Sequence, residues 1–308
     1  MRVQTLWLPK AGHAADEYED AFGASDAASL PFRAVVADGA TESAFSGGWA
    51  RLLAAEYLRL GALVEAAASA RALFNPEVSG RWYVQAKAAE GAHAALLGFE
   101  LEAGRPDEHG ASGMVGRPGK ADKADSPGNP GRPYNAGKAY KRGKPGEGAG
   151  TWRAESVGDC CLFHVRGGHL HASWPYADAG DFHHRPHLIS SLESPLDVLA
   201  ASGTWQEGDA FILATDALAA WLLEAGVEAL LESEDFGGLV AAARRDTAGG
   251  THGATEASDV PGATASAGEA TISGETASWG ENGAPGRPSD TARPRLRDDD
   301  TTAVIIRL

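Results

Sequence analysis

The last six residues, Ala303-Val304-Ile305-Ile306-Arg307-Leu308, read as a β-strand that has to be buried, since a β-branched apolar run needs a sheet and a core to cover it. They follow residues 247–297, a stretch of Gly, Ala, Ser, Thr, Glu and Pro with almost no large aliphatic side chains. Such a stretch cannot bury enough apolar surface to offset the entropy of ordering it. The chain must therefore cross it and return to the same core, which makes it a loop within a domain and not a tail. Residues 103–150, dominated by Gly, Pro, Lys and Arg, have the same character. Loop-closure cost grows slowly with length, so both are tolerable. Setting them aside leaves roughly 200 residues, the size of one ordinary domain. The expected organisation is a single domain over residues 1–308 with flexible insertions at about 103–150 and 247–297.

A formal charge of −15 argues against general nucleic-acid binding by the folded body. The first insertion is locally basic between Arg105 and Lys144, with Tyr134 and Tyr140 interleaved, and reads as a solvated linker, with contact to RNA, an acidic partner or a membrane surface as the alternative. The cysteines are Cys160 and Cys161; neighbours on a strand face opposite ways and cannot pair with each other, which suits a reducing compartment. The apolar run at residues 1–10 is too short for a signal peptide, and no segment reaches membrane-spanning length. The expectation is a cytoplasmic protein with no membrane insertion; the oligomeric state is not legible.

Strands are expected at Arg2–Leu8, Phe32–Ala37, Thr151–Val157, Cys160–Val165, His169–Ser173, Ala210–Ala214 and Thr302–Leu308, with Arg166-Gly167-Gly168 as a hairpin turn. Trp49, Leu52, Leu53, Tyr57 and Leu60 predict a helix over Gly48–Leu73, and an Ala/Leu-rich pattern predicts a second over Trp82–Leu101. Pro195–Ala201, Leu218–Leu231 and Gly237–Arg245 also read as helices. Clustered strands with long helices between them predict an α+β layered fold without regular βαβ alternation.

Carboxylates recur beside the apolar runs: Glu19-Asp20 before Ala21-Phe22, Asp38-Gly39 after Phe32–Ala37, Asp216 after Ala210–Ala214, and Asp299-Asp300 before the final strand. Acids with no nearby Cys or paired His suit hard, oxygen-preferring ions such as Mg²⁺ or Mn²⁺. Packed together without a cation they would raise one another's pKa values. Two ions a few ångström apart can activate water and clamp a phosphoryl group. The residues thus favour a metal-dependent hydrolase of phosphoric esters, while spacing alone leaves open that these acids are unconnected loop residues.

In order, Glu19-Asp20-Ala21-Phe22, Val35-Val36-Ala37-Asp38-Gly39, Ser156-Val157-Gly158-Asp159-Cys160, Glu207-Gly208-Asp209 through Thr215-Asp216-Ala217, and Asp299-Asp300-Thr301-Thr302 resemble the motifs of the type 2C metal-dependent protein phosphatases. The resemblance implies a β-sandwich flanked by helices on both faces. It implies that Asp38 bridges two Mn²⁺ or Mg²⁺ ions, that the Gly39 carbonyl and Glu19 help to hold one, and that Asp216 and Asp299 hold the other. Asp20 would hydrogen-bond metal-bound water, and Asp159 matches the turn acid that contributes with Asp216 to a third metal in related enzymes. The implied reaction is attack of metal-activated water on the phosphorus of a phosphoserine or phosphothreonine in a phosphorylated protein, without a phosphoenzyme, in opposition to Ser/Thr kinases. The high Gly and Ala content fits a high-GC bacterium, and the resemblance implies a signalling role.

Four departures stand out, one of them Thr215-Asp216-Ala217 in place of the common Ser-Asp-Gly, which leaves the Asp216 carboxylate available. Ala15 occupies the position, four before Glu19, where the family usually has a phosphate-binding Arg; Lys10 and His13 are the nearby substitutes. Ala40-Thr41-Glu42 follows the Asp-Gly where many members have a His. Cys160-Cys161 replaces a Ser-Arg pair and is expected to pack. These keep a second reading in play, a pseudophosphatase that binds phosphoproteins without efficient turnover. A hydrolase of small phosphate esters would share the same site. His183, His184 and His187 read as a polar loop near the substrate cleft, with a transition-metal site as the alternative, Trp205 and Trp221 as core, and Gly47-Gly48 as the opening of the Trp49 helix.

Overall fold

A computed structural model describes residues 1–41, 43–75, 87–104, 148–182, 186–245 and 295–308. Most of both insertions, residues 81–86, and His183 and His184 lie outside the described residues, so the expectations that fall on them concern a part of the chain not described here.

Among the described residues, eleven strands form two antiparallel sheets. One runs β1(Arg2–Leu8)–β11(Thr301–Arg307)–β10(Ala210–Ala214)–β6(Cys161–Arg166)–β7(His169–Trp174). The other runs β2(Ala21–Ala24)–β3(Phe32–Gly39)–β4(His93–Ala103)–β5(Ala149–Val157)–β9(Leu199–Gln206), with the short β8(Ile189–Ser190) paired to β4. The sheets pack through Val36, Leu97, Phe99, Phe211, Leu213, Val304 and Ile306, the inward positions of β3, β4, β10 and β11.

Alternation sends the next residue of each strand outward, and both outer faces are covered. Val35, Ala37 and Leu96 meet α1(Ser46–Leu60) and α2(Leu63–Leu73) through Trp49, Leu53 and Tyr57. Ile212, Ala303 and Ile305 meet α3(Asp216–Ala225) and α4(Phe236–Arg245) through Leu218, Leu222 and Val240. The layers are α-β-β-α, as the motifs implied. Strands covered on both faces are apolar throughout, which is why β10 and β11 read so clearly in the sequence. Cys160 packs between the sheets and Cys161 under the helices, both buried and free.

Four expectations change. The helix predicted over Trp82–Leu101 is largely β4: after a helical turn at 87–90 the chain extends from His93, and its Ala and Leu residues fill both faces of a central strand. Its composition favours helix, and tertiary burial overrides it. The helix predicted over Gly48–Leu73 is two helices, broken where Gly61 adopts a left-handed φ of 74° that caps α1. Gly226, at φ 91°, ends α3, and Glu228–Leu231 is a separate short helix. Pro195–Ala201 is not helical; β9 begins at Leu199 and pairs with β5 over Ser156↔Leu199 to Ala149↔Gln206.

Candidate metal centre

The pairing registers carry the acids to one end of the sandwich. Ala37, next to Asp38, pairs with Ala21, next to Asp20. Ala214 stands between Ala303 and Cys161, so Asp216, the Asp299-Asp300 pair and the Gly158-Asp159 turn emerge at that end. Ala37 also faces Leu96, which pairs with Val157 at the β5 terminus. Five separated segments thus supply Asp20, Asp38, Asp159, Asp216, Asp299 and Asp300.

Two close approaches fix the floor. A Cβ on Gly39 would lie 2.7 Å from the Glu19 carbonyl oxygen and 2.9 Å from the Ser46 carbonyl carbon, so only glycine lets the end of β3 press against both segments. Gly47 packs its Cα against the Glu19 backbone in the same way. The Ser46 hydroxyl donates to Glu19 Oε1 at 2.6 Å, and the Glu19 N–H donates to Asp300 Oδ2 at 2.7 Å. Phe45, just before α1, holds a left-handed φ of 64°, uncommon for a bulky residue and here part of the turn that swings α1 over this corner.

Asp20 is held by hydroxyls. Thr302 donates to its Oδ2 at 2.6 Å and Thr215 to the same oxygen at 3.1 Å, while the Tyr18 hydroxyl donates in turn to Thr302. Thr215 sits at the N-cap position of α3 but caps nothing, because its hydroxyl is committed to Asp20. Asp20 is 3% exposed, and burial, followed by the neighbouring Asp300 and Asp216, pushes its carboxyl up to about 8 against the opposing hydroxyl bonds. Asp159 is pushed up to about 7, first by burial and then by Asp216. Asp38 keeps some solvent exposure, yet burial among Asp20, Asp216, Asp159 and Asp299 holds it well above the carboxylate range. Asp299 is raised by burial and Asp216.

These shifts show that the acids share one electrostatic neighbourhood. Among the described residues, Asp20 and Asp38 have no ion-pair partner. Arg297 donates to Asp216 Oδ2 at 2.7 Å, and Lys10 lowers Asp299 by its charge. The carboxylate-only donor set, carrying more negative charge than its cations offset, fits hard divalent ions. Among the described residues no three His, Cys, Asp or Glu side chains are arranged, as they stand, to close on one ion; Arg297 occupies one Asp216 oxygen instead.

Each acid read from the sequence is therefore at this end. His13 faces Glu17 at an exposed 3.8 Å and does not reach the cluster; Lys10 does. His187 is exposed. Trp221 is buried, and Trp205 packs partly against the inter-sheet core with its indole N–H on the Glu102 carbonyl. Asp300, seen in the sequence only as half of the Asp299-Asp300 pair and given no role of its own, receives the Lys10 N–H at 3.0 Å as well as that of Glu19, and Arg297 was not anticipated at all. Doubled acids before a strand signal the first; nothing in the sequence signals the second.

Solved structures are similar to this chain. The chain is similar to the photosystem II phosphatase PBCP at 15% identity and a TM-score of 0.52, over 100% of this chain and 98% of that one. Two others are PppA, a regulatory component of T6SS in Pseudomonas aeruginosa (16% identity, TM-score 0.45, 99% and 96% covered), and the serine/threonine phosphatase PstP/Ppp of Mycobacterium tuberculosis (13%, 0.43, 75% and 83%). No family model matches the chain, and no curated protein matches it. At this identity the likeness is one of fold: that of the type 2C phosphatase sandwich. Among the described residues no helix is long and apolar enough to cross a membrane.

Proposed function

We propose that the chain is a metal-dependent phosphoprotein phosphatase, acting on phosphoserine or phosphothreonine in a cytoplasmic protein partner. The observation that carries this reading is the gathering of acids from five chain segments at one end of the sandwich, with Asp20 and Asp38 buried or crowded and lacking any described cation. A fold keeps such mutual repulsion only where something positive offsets it.

Two Mn²⁺ or Mg²⁺ ions bound there would supply an activated water nucleophile and offset the charge on the phosphoryl group. Asp38, Glu19 and the Gly39 carbonyl, with Asp216 and Asp299 opposite, are the residues to hold them, and Asp159 with Asp216 is suited to a third. Asp20 has one oxygen committed to Thr302 and Thr215, which leaves the other to orient a water or accept its proton. Because Asp20 and Asp159 titrate near neutrality without metal, cation binding at pH 7 would displace protons from them.

One observation favours the alternative, a pseudophosphatase that binds phosphoproteins: Arg297 already pairs with Asp216 and competes for a proposed ligand. Phosphate release from a phosphothreonine peptide separates the two readings. The enzyme predicts turnover with Mn²⁺ that chelation stops and Asp38→Asn reduces by at least ~100-fold, the scale of a lost electrostatic contact in the transition state. Peptide retention without turnover would instead support the alternative.

A further inference from the structure

A cleft of about 460 Å³ opens beside Asp20 and runs between β1, β2 and the outer side of α1. Trp7, Tyr18, Phe22 and Leu58 make its walls, Asp20 lies at its inner end, and Arg51 projects into it from α1. Trp7 is 42% exposed, an unusual position for a large aromatic, and its ring lies 5.1 Å from that of Tyr18. Tyr18 is in turn fixed by its hydroxyl on Thr302, so the wall is continuous with the groups that hold Asp20.

Arg51 is exposed, and among the described residues its guanidinium has no carboxylate: its contact is the Tyr18 carbonyl at 3.4 Å. Gly47 leaves room for it, since a Cβ there would stand 3.3 Å from Arg51 Nη1 and 3.1 Å from the Glu19 Cα. The cation therefore stands within a residue or two of the Glu19–Gly39 corner of the acid cluster. Ala15 lines the same cleft and contributes no charge.

We infer that this cleft binds the substrate segment around the phosphorylated residue: Arg51 takes a phosphate oxygen, and the Trp7–Tyr18–Phe22–Leu58 wall takes a large apolar side chain immediately flanking it. The inference rests on the phosphatase reading and adds a substrate class to it, phosphopeptides with a leucine-like neighbour. A guanidinium without a carboxylate suits a dianion, which would otherwise be repelled by the acids beyond it. The walls, in contrast, offer a phosphate nothing and suit apolar surface. An occupant that is charged at one end and apolar beside it matches both.

The test uses the full-length protein with Mn²⁺ and two fluorescent peptides carrying a non-hydrolysable phosphonate in place of phosphothreonine, one flanked by Leu and the other by Gly. Polarisation should give at least tenfold tighter binding of the Leu peptide. Ala55→Trp, an exposed position on the cleft rim, should abolish that preference while leaving turnover of p-nitrophenyl phosphate unchanged. Arg51→Ala should weaken both peptides at least tenfold, with Mn²⁺ binding unaltered by calorimetry. Equal affinity of the two peptides, a preference that survives Ala55→Trp, unchanged binding in Arg51→Ala, or equal binding of the Leu peptide without its phosphonate would each overturn the inference. If the preference and its loss in Ala55→Trp appear but no metal-dependent turnover of any ester is found, the catalytic reading falls and the cleft stands.

Discussion

The Thr302 hydroxyl donates to Asp20 Oδ2 at 2.6 Å, tying the start of the terminal strand to the acid before β2 across 282 residues of chain. The same hydroxyl accepts from Tyr18, so one side chain links the aromatic wall, the carboxylate and the sheet. Thr302→Val should leave the buried Tyr18 phenol without its acceptor and Asp20 Oδ2 with the longer Thr215 bond alone, at a cost of about 2 kcal/mol. Urea denaturation of metal-free protein measures it; Thr302→Ser should restore most of the loss.

Asp38 sits in the field of four other acids. Asp38→Asn should therefore do two opposite things. It should raise the melting temperature of the metal-free protein by removing like-charge repulsion, and it should weaken Mn²⁺ binding and activity. Differential scanning calorimetry in chelator checks the first; a lower melting temperature there would mean that Asp38 is not under repulsion.

Arg297 holds Asp216 Oδ2 from an exposed position. If the pair competes with metal, Arg297→Ala should tighten Mn²⁺ binding by up to roughly fivefold, since exposed ion pairs contribute at most about 1 kcal/mol. Unchanged affinity would show that Arg297 yields without resistance.

The acids also set a pH dependence. Asp20 and Asp159 titrate at about 8 and about 7 in the fold against an ordinary 3.8, so the metal-free fold binds protons that the unfolded chain releases. Their contribution to stability is fully present below about pH 4 and is lost as pH rises through those values. His164, buried on Asp209, works the other way: burial lowers it to about 4 from 6.5, so its contribution grows with pH between those limits. Above pH 6.5 the acids act alone. Metal-free protein should melt at a lower temperature at pH 8 than at pH 6.5, and saturating Mn²⁺ should remove most of that difference.

Gly98 in β4 lies directly under the Tyr57 ring, where a Cβ would fall 2.0 Å from Cζ. Gly98→Ala should force α1 off the sheet and cost about 3 kcal/mol by overpacking, read by chemical denaturation.

What could be read from the sequence divides along physical lines. Strands β3, β10 and β11 combine β-branched residues with burial on both faces, and their acids stand where each strand leaves the sheet, so each strand and the acids at its end were legible together. β4 was not, because Ala94-Ala95-Leu96-Leu97 carries a helical composition and is a strand only because two layers enclose it. The break at Gly61 is a single left-handed residue within an otherwise helical pattern. The acids could be enumerated, but not the hydroxyls that hold them: Thr215 and Thr302 reach Asp20 from 195 and 282 residues away. Arg297, at the margin of the second insertion, and Arg51, on a helix read only for its apolar face, gain meaning from neighbours that folding alone supplies.

The central claim is that this carboxylate cluster is a two-cation centre. Calorimetric titration of the metal-free protein with Mn²⁺ at pH 7.5, run in two buffers of different ionisation enthalpy, tests it most directly. The account predicts two Mn²⁺ per chain, proton release on binding, and loss of the binding in Asp38→Asn. Absence of Mn²⁺ binding, or binding that Asp38→Asn leaves intact, would contradict it.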